Sequence, residues 1–282
     1  MGESRALVAT GTEVVLQTRP LPTPRAHQVR IRVERVGVCR TDQAVAEGRL
    51  DARWPVVPGH EVTGVVDAEG AGVVGWLGQT VVVEPVDARG GFLGVHRDGA
   101  FARHVVVDVA QLVAVSAELE PCVRAFAEPV AACLAPAAHV GVSDRVAVVG
   151  TGRIAELTAR CLRARGLHVV DPNDPHIDVL VETAGLATDL DPLLARVRPG
   201  GTLVLKSRRM GRVGFDVARA LAREQTVAAA GYAPFRDAVA LLDHPTLDLP
   251  SLIGPTFALS AWRRAFAQDE ACKVFFDPWL EA

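Results

Sequence analysis

Cys39 and His60 stand 21 positions apart in a 282-residue chain, in the runs Val36-Gly37-Val38-Cys39-Arg40-Thr41-Asp42 and Pro58-Gly59-His60-Glu61. A soft thiolate, an imidazole and the adjacent carboxylate of Glu61 are donors that Zn²⁺ accepts, and a catalytic zinc site keeps one position open. Taken alone the pair is a weak signal. A lone Cys is commonly a small buried hydrophobe, and a lone His a satisfied polar residue. A further carboxylate, Glu128, sits in Ala127-Glu128-Pro129 within an apolar, Ala-rich stretch. Burying an ionised group is costly unless it is paired or binds a metal. The competing reading is a partly exposed carboxylate at a helix end.

A second group of residues points to a nucleotide. Arg145–Val149 reads as a buried strand, followed by Gly150-Thr151-Gly152-Arg153-Ile154-Ala155 and a helical pattern running to Gly166. This is G-x-G-x-x-A between a strand and a helix, where backbone N–H groups can approach a pyrophosphate at the helix N-terminus. Gly150, Gly152, Arg153 and Ile154 are therefore candidate cofactor-binding residues. Leu167–Val170 reads as the next strand and ends at Asp171, 21 positions past Gly150. A carboxylate there hydrogen-bonds both ribose hydroxyls and repels a 2′-phosphate, which favours NAD over NADP. Lys206, Arg208 and Arg209 follow a later strand on its carboxyl side, as an anion contact or as a solvated loop.

The elements that must position these groups fall into two sets. Residues 5–18 and 28–38 read as strands, joined by a connector stiffened by Pro20, Pro22 and Pro24. Val-rich runs recur at Val62–Val66, Thr80–Val83 and His104–Val107, a rhythm that suggests a small irregular β-barrel. Residues 117–140 read as helical. After Asp171 only Pro172–His176 precede the next strand, Ile177–Val181, where a full doubly wound half would hold a helix, a strand and another helix. The fold class expected is α/β, with a β-rich domain and a Rossmann-type doubly wound parallel sheet that lacks the edge strand after Asp171. Its strand order would be 2-1-4-5-6, with an extended link and no helix in the gap. Helices follow at Leu190–Arg198, Phe215–Arg223, Phe235–Leu242 and Ala261–Gln268, and strands at Thr202–Leu205, Thr226–Ala230 and Lys273–Phe276.

Composition bounds the rest. Hydrophobic residues make up 49% and charged residues 22%, as for a globular protein with a sizeable core, and a net charge of −3 leaves no footprint for nucleic acid. No apolar run approaches the ~20 residues of a membrane span, and the N-terminus has no signal-peptide pattern. Five scattered Cys form no disulfide framework, so a cytoplasmic, reducing location is expected.

Together, G-V-C-R-T-D, P-G-H-E, Gly94–Ala102, Ala127-Glu128-Pro129 and the Gly-rich turn resemble the zinc-containing medium-chain dehydrogenase/reductase (alcohol dehydrogenase) family. Leu205-Lys206-Ser207 and Glu128 resemble its polyol and threonine-dehydrogenase-like branch. The resemblance implies a GroES-like catalytic domain over 1–140, completed by 252–282, and a Rossmann domain over 141–251. It implies one catalytic zinc on Cys39, His60 and Glu128, with Glu61 close by as an occasional ligand; which carboxylate takes the third position stays open. Thr41 would pass the substrate proton and Arg40 would touch the cofactor pyrophosphate. A small alcohol or ketone substrate, NAD(H) and a homodimer formed through the strand Thr226–Ala230 follow from the same resemblance. Two departures stand out. The stretch Asp87–Gly91 lacks the four Cys of the family's structural zinc, and Ala44 occupies the place of a relay His. A metal-free reductase of the same superfamily and a catalytically silent binding or scaffold protein are the alternative readings.

Overall fold

The computed structural model describes residues 2–185, 188–207, 212–269 and 271–281. The chain divides into two compact units, Met1–Glu128 with Leu249–Ala282, and Pro129–Asp248.

The first unit opens with a hairpin where one strand was expected over 5–18. Strands β1 (Glu3–Ala9) and β2 (Val14–Pro20) pair antiparallel. The Thr10 hydroxyl turns the chain by accepting the Glu13 N–H at 3.2 Å. Strand β3 (Gln28–Gly37) buries Val29, Ile31 and Val33, while the residues between them are less buried. That is the period-2 pattern of a sheet packed on one face. Helix α1 (Arg40–Ala46), then β4 (Glu61–Glu69), β5 (Thr80–Val83), β6 (His104–Asp108) and β7 (Leu112–Ala114) follow. The helical stretch expected over 117–140 is α2 (Pro121–Ala125), α3 (Ala127–Leu134) and a 3-10 turn, and the unit boundary falls inside α3 after Glu128.

The second unit carries β8 (Arg145–Val149), α4 (Arg153–Ala164), β9 (His168–Val170), β10 (Ile177–Glu182), α5 (Asp191–Leu194), β11 (Val197–Leu205), α6 (Val217–Ala222), β12 (Thr226–Ala229) and α7 (Phe235–Val239). Its five strands are all parallel, in the order β12-β11-β10-β8-β9. This is the doubly wound order with the third strand missing, and the chain crosses from β9 to β10 without a helix. Val146, Val148, Val179 and Val181 pack on one face, and Ala147, Ile177, Leu180 and Leu203 on the other. Burial on both faces explains why these strands read as continuous apolar runs.

The helix expected over Leu190–Arg198 shrinks to the four residues of α5, because β11 already begins at Val197. Val197 is fully buried and pairs with Ile177, while Arg198 is bound to Asp178 on β10. Tertiary pairing overrides the helical pattern there.

The chain then returns to the first unit through β13 (Ile253–Ala258), α8 (Trp262–Phe266) and β14 (Lys273–Asp277). The first unit's main sheet runs β13-β14-β3-β4-β5-β7, with β6 also on β3. Strand β13 was not foreseen: it contains Pro255, which sheets tolerate at an edge. Phe101, Phe126, Phe275 and Phe276 fill this core, with Phe101 edge-on to Phe276 at 4.9 Å.

Candidate metal and cofactor sites

Cys39 lies at the turn between β3 and α1, and His60 immediately precedes β4. The thiol sulfur of Cys39, a ring nitrogen of His60 and a carboxylate oxygen of Glu61 lie within 4.8 Å of one another. Oε1 of Glu128, in the first turn of α3, is 4.0 Å from His60 Nε2. All four groups belong to the first unit. Thr41, on α1, accepts a hydrogen bond from the Cys39 thiol at 3.8 Å. Arg40 is the exposed first residue of the same helix.

Sequence reasoning passed over the residue that orders this cluster. Asp42 is 1% exposed, and its Oδ2 accepts the Cys39 N–H at 2.9 Å. Its Oδ1 accepts the Gly59 N–H at 2.9 Å and faces His60 Nδ1 at 3.1 Å. One carboxylate thus caps α1, ties the two motifs together and occupies His60 Nδ1, so that Nε2 faces the other donors. The available signal was an Asp three positions past Cys39, the reach of a capping side chain.

Burial alone would lower the His60 pKa. The Asp42 carboxylate, by charge and hydrogen bond, and Cys39 outweigh burial and hold it well above the ordinary imidazole value. Glu61 is displaced upward, chiefly by burial and also by the nearby Glu128, against the lowering pull of Lys273 and His60.

Lys273, on β14 and 2% exposed, donates to Glu61 Oε1. Glu61 Oε2 also lies against the ammonium but accepts no hydrogen bond of good geometry. Gly37 makes room for this pair, since a Cβ there would sit 2.1 Å from Glu61 Oε2 and 2.7 Å from Lys273 Cε. A thiolate sulfur, an imidazole nitrogen and carboxylate oxygens converging in a buried pocket suit Zn²⁺. The residues present fit that ion.

In the second unit, Gly150 opens the turn after β8, and Gly152 caps α4 with no side-chain cap of its own. Arg153 and Ile154 form the first turn of α4. Asp171 follows β9, and its Oδ1 accepts the Asn173 N–H at 2.7 Å, starting the short link to β10. Lys206 follows β11, while Arg208 and Arg209 lie outside the described residues.

The stretch at Asp87 is a tight turn. Asp87 Oδ1 accepts N–H groups of Arg89 and Gly91 at 2.9 and 2.8 Å, and Oδ2 faces Arg97 at 3.3 Å. Partial burial pulls the Asp87 carboxyl upward. The Gly91 and Arg89 N–H groups, with the Arg97 and Arg89 charges, outweigh that and hold it below the ordinary range.

Residues 25–117 match the alcohol dehydrogenase GroES-like domain family. A sorbitol dehydrogenase of Halalkalibacterium halodurans is 25% identical over 97% of this chain and 99% of its own length. A zinc-binding dehydrogenase from Sinorhizobium meliloti, so described and bound to NADP, superposes with a TM-score of 0.88 at 23% identity, covering 99% of this chain and all of that one. A short chain alcohol dehydrogenase from Escherichia coli CFT073, complexed with NADH, gives 0.87 at 20% identity over 98% of this chain and 100% of that one. The GroES-like match and the likeness along nearly the whole chain support a member of the zinc-type medium-chain dehydrogenase/reductase family. These likenesses support an oxidoreductase related to alcohol and polyol dehydrogenases. Among the described residues no helix is long and apolar enough to cross a membrane.

Proposed function

We propose that this protein is a zinc-dependent oxidoreductase that moves hydride between NAD(H) and a secondary alcohol or ketone. The observation that carries this reading is the buried convergence of Cys39, His60 and two carboxylates, ordered by Asp42. Cys39, His60 and Glu128 hold the metal. Glu61, engaged by Lys273, stands beside them as an occasional ligand. Bound Zn²⁺ would act as a Lewis acid toward a substrate oxygen. The Thr41 hydroxyl, next to the Cys39 sulfur, takes the substrate proton and passes it on. Ala44 offers no side chain for a relay, so the proton leaves by way of water or ribose hydroxyls.

NAD(H) supplies the hydride acceptor or donor. The N–H groups of the Gly150–Ile154 turn bind its pyrophosphate, and the Asp171 oxygen not engaged by Asn173 takes the ribose hydroxyls and disfavours a 2′-phosphate. Likeness to a sorbitol dehydrogenase along nearly the whole chain supports a polyol, sugar or cyclitol substrate. Zinc per chain by elemental analysis, with NADH binding by fluorescence, tests the mechanism. About one zinc per chain, reduced in Glu128→Ala, is expected. Absence of zinc after supplementation, with NADH still bound, would move the assignment to a metal-free reductase.

The open edge of the parallel sheet, β12, supports a homodimer built by edge pairing. Sedimentation should find a dimer that Ala229→Lys, at an exposed edge position, shifts toward monomer. A monomeric wild type would sink the proposal.

A further inference from the structure

Glu182 is 2% exposed in a sheet whose other buried strand residues carry no polar side chain. It ends β10, paired with Val149 of β8 on one side and Leu205 of β11 on the other. A carboxylate in that position costs free energy that a well-packed apolar side chain would not. Its oxygens are both engaged. Oε1 accepts the Gly185 N–H at 2.6 Å, and Oε2 accepts the Ser207 hydroxyl at 2.6 Å. Its main-chain carbonyl accepts the Lys206 N–H at 3.0 Å.

The neighbouring residue extends the brace to the Gly-rich turn. Thr183 donates both its N–H and its hydroxyl to the Val149 carbonyl, each at 2.9 Å. A Cβ on Gly150, which holds φ at 141°, would sit 2.2 Å from the Thr183 hydroxyl oxygen. Gly185 and Ser207 are neighbours at ordinary contact distance: a Cβ on Gly185 would be 3.5 Å from Ser207 Cβ. The first residues beyond three adjacent strands, at Gly150, Thr183–Gly185 and Lys206–Ser207, are therefore tied to one another through Glu182 and Thr183.

Ligands of open parallel sheets bind outside the carboxyl ends of the strands, at the point where the strand order reverses. Here that point lies between β8 and β10. The half containing β8 and β9 carries the Gly-rich turn and Asp171, so the half from β10 to β12 is left for the nicotinamide mononucleotide. We infer that Glu182 is a positioning residue for the nicotinamide half of the dinucleotide, holding the loops at Gly185 and Ser207 in the shape that half requires. It acts through those loops rather than by contact with the reacting atoms. The inference rests on the dinucleotide reading proposed above.

The test compares NADH with ADP-ribose, which keeps the adenosine half and lacks the nicotinamide. Binding of both is measured for wild type, Glu182→Gln, Ser207→Ala and Ser207→Thr, alongside the melting temperature of each. Losing one of the two carboxylate hydrogen bonds should weaken NADH binding about tenfold in Ser207→Ala, with ADP-ribose affinity unchanged and the fold still cooperative on melting. Ser207→Thr, which keeps a hydroxyl, should bind NADH as wild type does. Glu182→Gln should follow Ser207→Ala, and the two changes combined should cost less than their sum, because they break one connection.

Unchanged NADH affinity in Ser207→Ala, with normal binding by wild type, would overturn this inference alone. Equal weakening of both ligands together with a lowered melting temperature would also overturn it, as a purely structural role. A wild type that binds neither ligand would overturn the dinucleotide reading and this inference with it.

Discussion

Asp42 shows how one side chain sets the chemistry of two others. It accepts from the backbone of both motifs and places a negative charge beside His60. In the metal-free protein the raised His60 pKa means that the ring holds its proton to a higher pH than a free imidazole does. That interaction stabilises the metal-free fold below the unfolded imidazole pKa, and the stabilisation is lost as pH rises through the folded value. Zinc binding has the opposite sign, because the ion must displace that proton. Zinc affinity should therefore keep rising with pH beyond the ordinary imidazole range of about 6.5. Chelator competition across roughly pH 6–9 reads this directly. In Asp42→Asn the midpoint should fall toward the ordinary value, while affinity at high pH drops about ten- to a hundredfold through loss of the orienting carboxylate. An unshifted midpoint would show that Asp42 does not govern His60.

Among the elements, short turns carry more than their length suggests. The Asp87 turn closes a loop of the first unit with two side-chain to backbone hydrogen bonds and an ion pair. Losing such a cap costs about 1 kcal/mol, so Asp87→Ala should lower the melting temperature by about 2–4 °C near neutral pH. Since the folded carboxyl titrates below its ordinary value, its stabilisation is complete above the unfolded pKa of about 4 and disappears as pH falls through the folded one. The difference between variant and wild type should close in acid, as thermal scans at pH 7 and pH 3 can check. Elements with a strong local pattern, such as β3, β5 and α4, lie where periodicity and glycine punctuation place them. Those that depart, α5 and β13, owe their limits to partners distant in sequence.

For the molecule as a whole, the shortened sheet bears on cofactor choice. With the third strand gone, Asp171, the residue after β9, also starts the link, so one carboxylate oxygen is spent on the Asn173 N–H. Asp171→Ser should remove the charge that opposes a 2′-phosphate while keeping an acceptor for the turn. Fluorescence titration should then find NADPH binding improved about tenfold relative to NADH. An unchanged ratio would mean that cofactor choice lies elsewhere.

The order of the motifs, the glycine turn and the loss of one strand were legible in the sequence, because each rests on local chemistry. Backbone dihedrals favour glycine in tight turns, alternation marks half-buried strands, and five residues cannot hold a crossover helix and strand. The pairing of Cys39 with His60 rested on the family resemblance, because residue type and spacing alone gave a weak signal. Tertiary structure alone decided that Lys273, 212 positions from Glu61, would engage that carboxylate. It likewise decided that Glu182 would bridge to Ser207 across two strands. A buried charge must find its partner wherever packing brings one, and no spacing along the chain encodes which distant side chain that will be.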